Sequence, residues 1–226
     1  PNGNSANIAA QVGTVARHLG ADVHGLVLNA TFPPPPTSSL LGDMIINVDG
    51  MTREATEKCR SQGAALVTAM EQALGPNDIN FRHTEVDCTL GAFGNATETY
   101  ARYYDLIVTA LSANDATMAA TAETVVFGSG RPTLLVPQDL PPSHYQSIMI
   151  AWDGSRVAAR AVADARDFLR LARTVSIVVV TDEKMIPMEN PGLKLVDYLG
   201  SHDIEATVAL VQSRQRPIGR ALQDHA

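Results

Sequence analysis

The sequence predicts an α/β protein built from two related parallel-sheet units, and three observations carry that prediction. Short continuous apolar runs, such as 106–111, 132–137, 147–152 and 177–180, alternate with stretches of helical periodicity. Glycine and proline clusters punctuate the alternation. The order of elements then restarts beyond residue 143. Continuous apolar strands separated by helices belong to a mostly parallel sheet covered on both faces.

Taken in order, residues 5–19 place Ile8, Ala9, Val12, Val15, Ala16 and Leu19 on one helical face, and Gly20 stands at the helix stop. Val23 to Leu28 reads as a short buried strand. The run Pro33-Pro34-Pro35-Pro36 favours an extended polyproline segment, either a stiff spacer or a cover for a pocket or partner. A second helix is predicted from about Thr52, with Ala55, Cys59, Leu66, Met70 and Leu74 along one side, ending at Gly75-Pro76. A strand near Ile79–Val86, a helix near Phe93–Tyr103 and the strand Asp105–Leu111 follow. A helix near Thr117–Phe127 then leads through Gly128-Ser129-Gly130, which suits a helix C-cap, to the strand Pro132–Pro137. Gln138–Ser143, with Pro141-Pro142, reads as a linker.

The second half opens with the strand Ser147–Trp152. A helix from Ser155 carries Val157, Ala158, Ala161, Val162, Ala165, Phe168 and Leu169 on one face. Thr174–Thr181 is a strand, Pro191–Gly200 a short helix, Ile204–Gln212 a strand, and another helix starts near Pro217. Asp78-Ile79 and Asp203-Ile204 open corresponding strands, and Phe93-Gly94-Asn95-Ala96 matches Ile218-Gly219-Arg220-Ala221 after them. The shared order makes a tandem repeat, with domains at 1–140 and 144–226. Laid over each other, each half reads as incomplete. The first begins at its helix without the strand that Ser147–Trp152 gives the second, and the second lacks a counterpart of Asp105–Pro137.

Composition narrows the function. The 226 residues are 45% hydrophobic and 18% charged, an ordinary globular balance. Seventeen basic and 24 acidic side chains give a net charge of −7, which argues against nucleic acid and a membrane surface as partners. No apolar run approaches the ~20 residues needed to cross a bilayer, and no leader is recognised. Cys59 and Cys88 lack metal-ligand spacing and read as buried, reduced thiols of a cytoplasmic protein. His18, His24 and His83 do not pair at i, i+4, so no metal site is expected. Tyr100, Tyr103 and Tyr104 read as helix-to-sheet packing with one ring partly exposed, and Asp182-Glu183 as solvated loop acids.

The run Ile148-Met149-Ile150-Ala151-Trp152-Asp153-Gly154-Ser155 resembles the opening strand of the universal stress protein family. So do Asp105-Leu106-Ile107-Val108, the helix with Ala122-Glu123 and Val125, and Arg131-Pro132-Thr133-Leu134-Leu135-Val136-Pro137. The resemblance covers nearly the whole chain as two successive domains. It implies an open, Rossmann-like or flavodoxin-like parallel sheet of five strands in the order 3-2-1-4-5, frequent dimerisation, and a role in stress response. It also implies ATP binding in some members, through an Asp ending the first strand, a backbone contact from the end of the second, and a loop Gly-x-x-Gly, nine residues, Gly-Ser/Thr after the fourth.

In the first domain the corresponding stretch, Thr109 to Thr117, holds no glycine, so side chains fill the space phosphates need. In the second, Ala151, Trp152, Asp153 and Val180 fall where the family contacts adenosine, while Asp153 has an equally simple reading as an Asx turn before a helix capped by Ser155. No Gly-x-Ser-x-Gly elbow surrounds Ser155. The expectation is a non-catalytic stress-response protein without a cofactor, acting through a homodimer or a protein partner. The alternative is an ATP-binding sensor or slow ATPase using the second domain. A flavin or redox carrier of the same topology finds no support, because no Ser/Thr phosphate loop follows a first strand.

Overall fold

The computed structural model describes residues 5–32, 48–75, 78–112, 114–138, 141, 144–182 and 190–226. The expected polyproline segment Pro33–Pro36 and Glu183 lie outside them. The chain divides into two compact units, Pro1–Pro142 and Ser143–Ala226. Both are mixed α/β with parallel strands, of the Rossmann-like type that the sequence predicts.

The first unit runs α1 (Ser5–Leu19), β1 (Val23–Ala30), α2 (Val48–Leu74), β2 (Phe81–Cys88), a 3-10 turn at Leu90–Ala92, α3 (Phe93–Ala101), β3 (Ile107–Leu111), α4 (Ala116–Gly128) and β4 (Thr133–Pro137). The apolar stripe of α1 meets the end of α2, where Ala9, Met70 and Leu74 are buried. Gly20 ends α1 at φ +60, a left-handed conformation that glycine adopts without steric cost. β1 pairs parallel with β2 from Val23↔Phe81 to Ala30↔Cys88. β3 pairs parallel with β4 from Ile107↔Thr133 to Leu111↔Pro137. A Cβ on Gly63 would stand 2.7 Å from Val27 Cγ1, so α2 lies on β1 at a distance only glycine permits.

The second unit runs β5 (Ser147–Ala151), α5 (Arg156–Asp164), α6 (Arg166–Leu171), β6 (Thr174–Val180), α7 (Pro191–Gly200), β7 (Thr207–Val211) and α8 (Ile218–Gln223). Its three strands form one parallel sheet, β5-β6-β7, with β6 central. Ile150, Val175, Ile177 and Val179 bury one face of that sheet against Val162, Leu169, Leu195 and Leu199 of the helices. The helix expected from Ser155 is broken in two at Ala165, whose ψ of 0 interrupts it. α2 starts at Val48, before the Thr52 expected for it, and β2 is displaced two residues from the predicted Ile79–Val86.

The backbone bonds fix which way each strand faces. Val23 N donates to Asn80 O at 2.9 Å and Thr31 N to Cys88 O at 2.9 Å, so odd-numbered residues of β1 point toward β2. Thr181 N donates to Val211 O at 2.9 Å, so odd-numbered residues of β6 point toward β7. Even-numbered residues of β6 point toward β5, as Trp152 N donating to Val178 O at 2.9 Å confirms. The two ladders thus end on the same bond, made by Thr31 in one unit and Thr181 in the other. In the first unit the strands form two separate pairs, β2-β1 and β3-β4, whereas in the second β7-β6-β5 are contiguous.

Candidate functional site

The four residues singled out by the resemblance come together at the carboxyl ends of β5 and β6. Ala151 is the last residue of β5 and pairs with Val178; Val180 is the last of β6 and pairs with Val211. Parallel sheets open their crevices at this edge, where successive loops diverge. Trp152 is half-buried against the helical core, and its Nε1 is buried with no hydrogen-bond partner among the described residues. A buried orphan donor of this kind costs about 1–3 kcal/mol.

Asp153 is exposed, and its Oδ1 accepts from Ser155 N at 2.8 Å across Gly154, whose φ is +70. This is an Asx turn. Ser155 Oγ in turn accepts from Ala158 N at 3.1 Å and caps α5. Both residues therefore have complete structural work in starting the helix.

At the same edge, Asp182 holds the ends of β6 and β7 together. Its carboxylate accepts from Ser213 N at 2.7 Å and Arg214 N at 2.9 Å. These bonds, first that of Ser213 and then that of Arg214, hold its pKa below the usual carboxylate value. The sequence reading of Asp182 as a merely solvated acid is corrected here. The carboxylate is exposed yet takes two backbone donors where the loop turns through Arg214 and Gln215, both at positive φ. Sequence gives little warning of this, because the partners lie 31 and 32 residues away.

In the first unit the helix that follows β3 also starts on a capping side chain. Asp115 Oδ1 accepts from Met118 N at 2.9 Å, so a carboxylate sits at the N-terminus of α4. The cap places a negative charge at the amino end of α4, the end of a helix that favours it. Gly130, at φ +70, follows the end of α4.

Cys59, within α2, and Cys88, the last residue of β2, are both half-exposed thiols and not the buried pair expected. Burial, then Asp87 and then Cys59, pushes the Cys88 thiol up, away from the reactive thiolate. Tyr103 is 82% exposed and Tyr100 38%, so tyrosine packing is looser than the sequence suggests. Among the described residues no group of three or more His, Cys, Asp or Glu is placed to hold a metal, and no helix is long and apolar enough to cross a membrane. An open cleft of about 810 Å³ in the second unit is lined by Arg173, Thr174, Asp203, Glu205 and Thr207. It lies at the amino ends of β6 and β7, opposite Asp153.

Comparison with known proteins supports the fold. The chain is similar to the crystal structure of a universal stress protein from Archaeoglobus fulgidus DSM 4304, at a TM-score of 0.61 and 16% identity. The match covers 98% of this chain and 78% of that one. No family model matches the sequence, and no curated protein matches it significantly. The likeness is therefore one of architecture.

Proposed function

We propose that this is a non-catalytic, cytoplasmic stress-response protein acting through a homodimer or a protein partner. The observation that carries the reading is the carboxylate of Asp115 at the N-terminus of α4, where a nucleotide-binding member would offer free amides to phosphate. The universal-stress architecture and the exposure of apolar surface on the first unit support it as well. Phe127 is 83% exposed and Tyr103 82%, a large amount of aromatic surface to leave in water. Sedimentation of the protein tests the reading. A species of twice 24.1 kDa, converted to monomer by Phe127→Glu, is the expected result. Monomer at all concentrations, with no partner recovered by crosslinking at Phe127, would overturn it.

A second reading has one specific observation in its favour. The buried, unpartnered Nε1 of Trp152 lies next to Asp153 at the carboxyl edge of β5. An adenosine moiety offers acceptors for the indole and donors for the carboxylate. In this reading Asp153 and the backbone of Val180 hold the nucleoside. Mass spectrometry of the denatured purified protein, followed by ATP titration of the wild type and Asp153→Ala, separates the two. Co-purifying adenine nucleotide lost on substitution would establish the second reading over the first.

A further inference from the structure

The amino ends of the pairs β1-β2 and β6-β7 differ, and the difference carries an inference independent of the function proposed above. In the first unit this end is closed. The ladder starts at Val23↔Phe81, the first residue of each strand, and Val23 N extends it by donating to Asn80 O at 2.9 Å. The polar side chains there satisfy one another. Arg17 pairs with Asp78 at 3.6 Å, and Asn80 Nδ2 donates to Asp22 Oδ2 at 3.1 Å.

In the second unit the same end is open. β6 begins at Thr174, but its ladder with β7 begins only at Ser176↔Thr207. Short of that rung the two strands separate around the cleft of about 810 Å³. Val175, 5% exposed, points its N–H toward β7 as the odd-numbered residues of β6 do, and the ladder offers it no carbonyl. Arg173 leads into β6 on one side of the cleft, and Asp203 and Glu205 lead into β7 on the other. Among the described residues none of these three charged side chains has an ion pair or a hydrogen bond. The end of α7 fixes Asp203, at φ +62, where its N donates to Gly200 O at 3.1 Å. Half-buried Val196 and Ala206 add apolar surface.

We propose that this cleft binds a free α-amino acid, as its zwitterion, with a large apolar side chain. One cation facing two anions selects that class of ligand. A phosphate or a dicarboxylate would be repelled by Asp203 and Glu205, and a metal ion or a diamine by Arg173. A zwitterion meets neither penalty. Its carboxylate accepts two parallel bonds from the Arg173 guanidinium and one from the Val175 N–H. Its ammonium has three protons, enough for both carboxylates and the Thr207 hydroxyl. The cleft has room for a large side chain, which lies on Val196 and Ala206.

The test titrates the whole 226-residue chain with L-phenylalanine and L-leucine in a calorimeter. Saturable binding of both is expected. Hydrocinnamate lacks the ammonium of phenylalanine, and phenethylamine lacks its carboxylate. Each should bind at least about tenfold more weakly, the worth of one bond to a charged group. Arg173→Ala should weaken phenylalanine binding by a similar factor, as should Asp203→Asn combined with Glu205→Gln. Asparagine tolerates the positive φ at position 203, so the second variant removes charge without straining the turn. Arg170→Ala should leave binding unchanged, because that guanidinium faces Asp167 at 3.8 Å. Hydrogen exchange at the Val175 amide of the unaltered chain should slow when phenylalanine is added, a readout that misfolding of a variant cannot mimic. No saturation by either amino acid, equal binding of either analogue, or an unchanged Val175 amide would overturn the proposal. So would full affinity in either cleft variant, or an equal loss in Arg170→Ala.

Discussion

β1 and β6 occupy equivalent places in the two units, yet they live in different surroundings. β6 has a strand on each side, and Val175, Ile177, Val178 and Val179 are all at most 5% exposed. β1 has a strand on one side only, and of its eight residues Val27, Asn29 and Ala30 are the buried ones. Buried Asn29 donates to Glu85 Oε2 at 3.1 Å, a polar pairing with no counterpart in the apolar run of β6. The difference teaches that a central parallel strand owes its stability to neighbours more than to its own sequence. Fully burying a branched aliphatic side chain contributes about 1.5–3 kcal/mol, and β6 does so several times over where β1 does so once.

The strongest way to break this comparison is to truncate equivalent positions. Ile177, wholly buried, corresponds to Val27, each four residues before the threonine that follows its strand. Ile177→Ala should cost about 3–4 kcal/mol, within the range for large core truncations, and Val27→Ala about half as much. Urea unfolding followed through Trp152, the chain's one tryptophan, reads the second unit selectively, with circular dichroism reading both. Equal losses at the two positions would mean that the open edge of β1 is covered as fully as that of β6.

Close helix-to-strand contacts sharpen the comparison at a smaller scale. A Cβ on Gly192 would stand 2.6 Å from Val208 Cγ1, and one on Gly63 2.7 Å from Val27 Cγ1. Valine is stiff at χ1, so in each case the helix has to retreat. Gly192→Ala and Gly63→Ala should each cost about 1–3 kcal/mol in thermal unfolding. The loss should be smaller for Gly63→Ala, because β1 can yield toward its open edge.

Helix caps come next. Asp115→Ala and Ser155→Ala each remove a side-chain acceptor from a helix N-terminus, and each should cost about 1 kcal/mol in urea unfolding. Ser155→Ala should also leave any ATP binding intact if the Asp153 turn is purely structural.

The smallest effect belongs to Asp182. Its folded pKa lies below the ordinary aspartate value of 3.8, so its contribution is fully present above that value. The contribution falls away as pH drops through the lowered folded pKa. Asp182→Asn should therefore lower the second unit's stability slightly at neutral pH, read by Trp152 fluorescence, with the difference from wild type closing below about pH 4 and the acid limb flattened. No first-unit signal should move.

Much of this was legible in residues alone. Periodicities of 3.6 and continuous apolar runs determined the helices and strands, because local backbone geometry repeats at those intervals. The order of those elements determined a parallel α/β fold in two units, since parallel strands require crossovers. Even the Asx turn at Asp153 and the cap at Ser155 could be read from three adjacent residues. Tertiary structure alone decided the rest. It split one expected sheet into the pairs β2-β1 and β3-β4, carried Cys59 to the open edge of β1, and bound Asp182 to amides 31 and 32 residues away. Those outcomes depend on which backbone groups still lack partners once the chain has folded, and that quantity belongs to no local stretch of sequence.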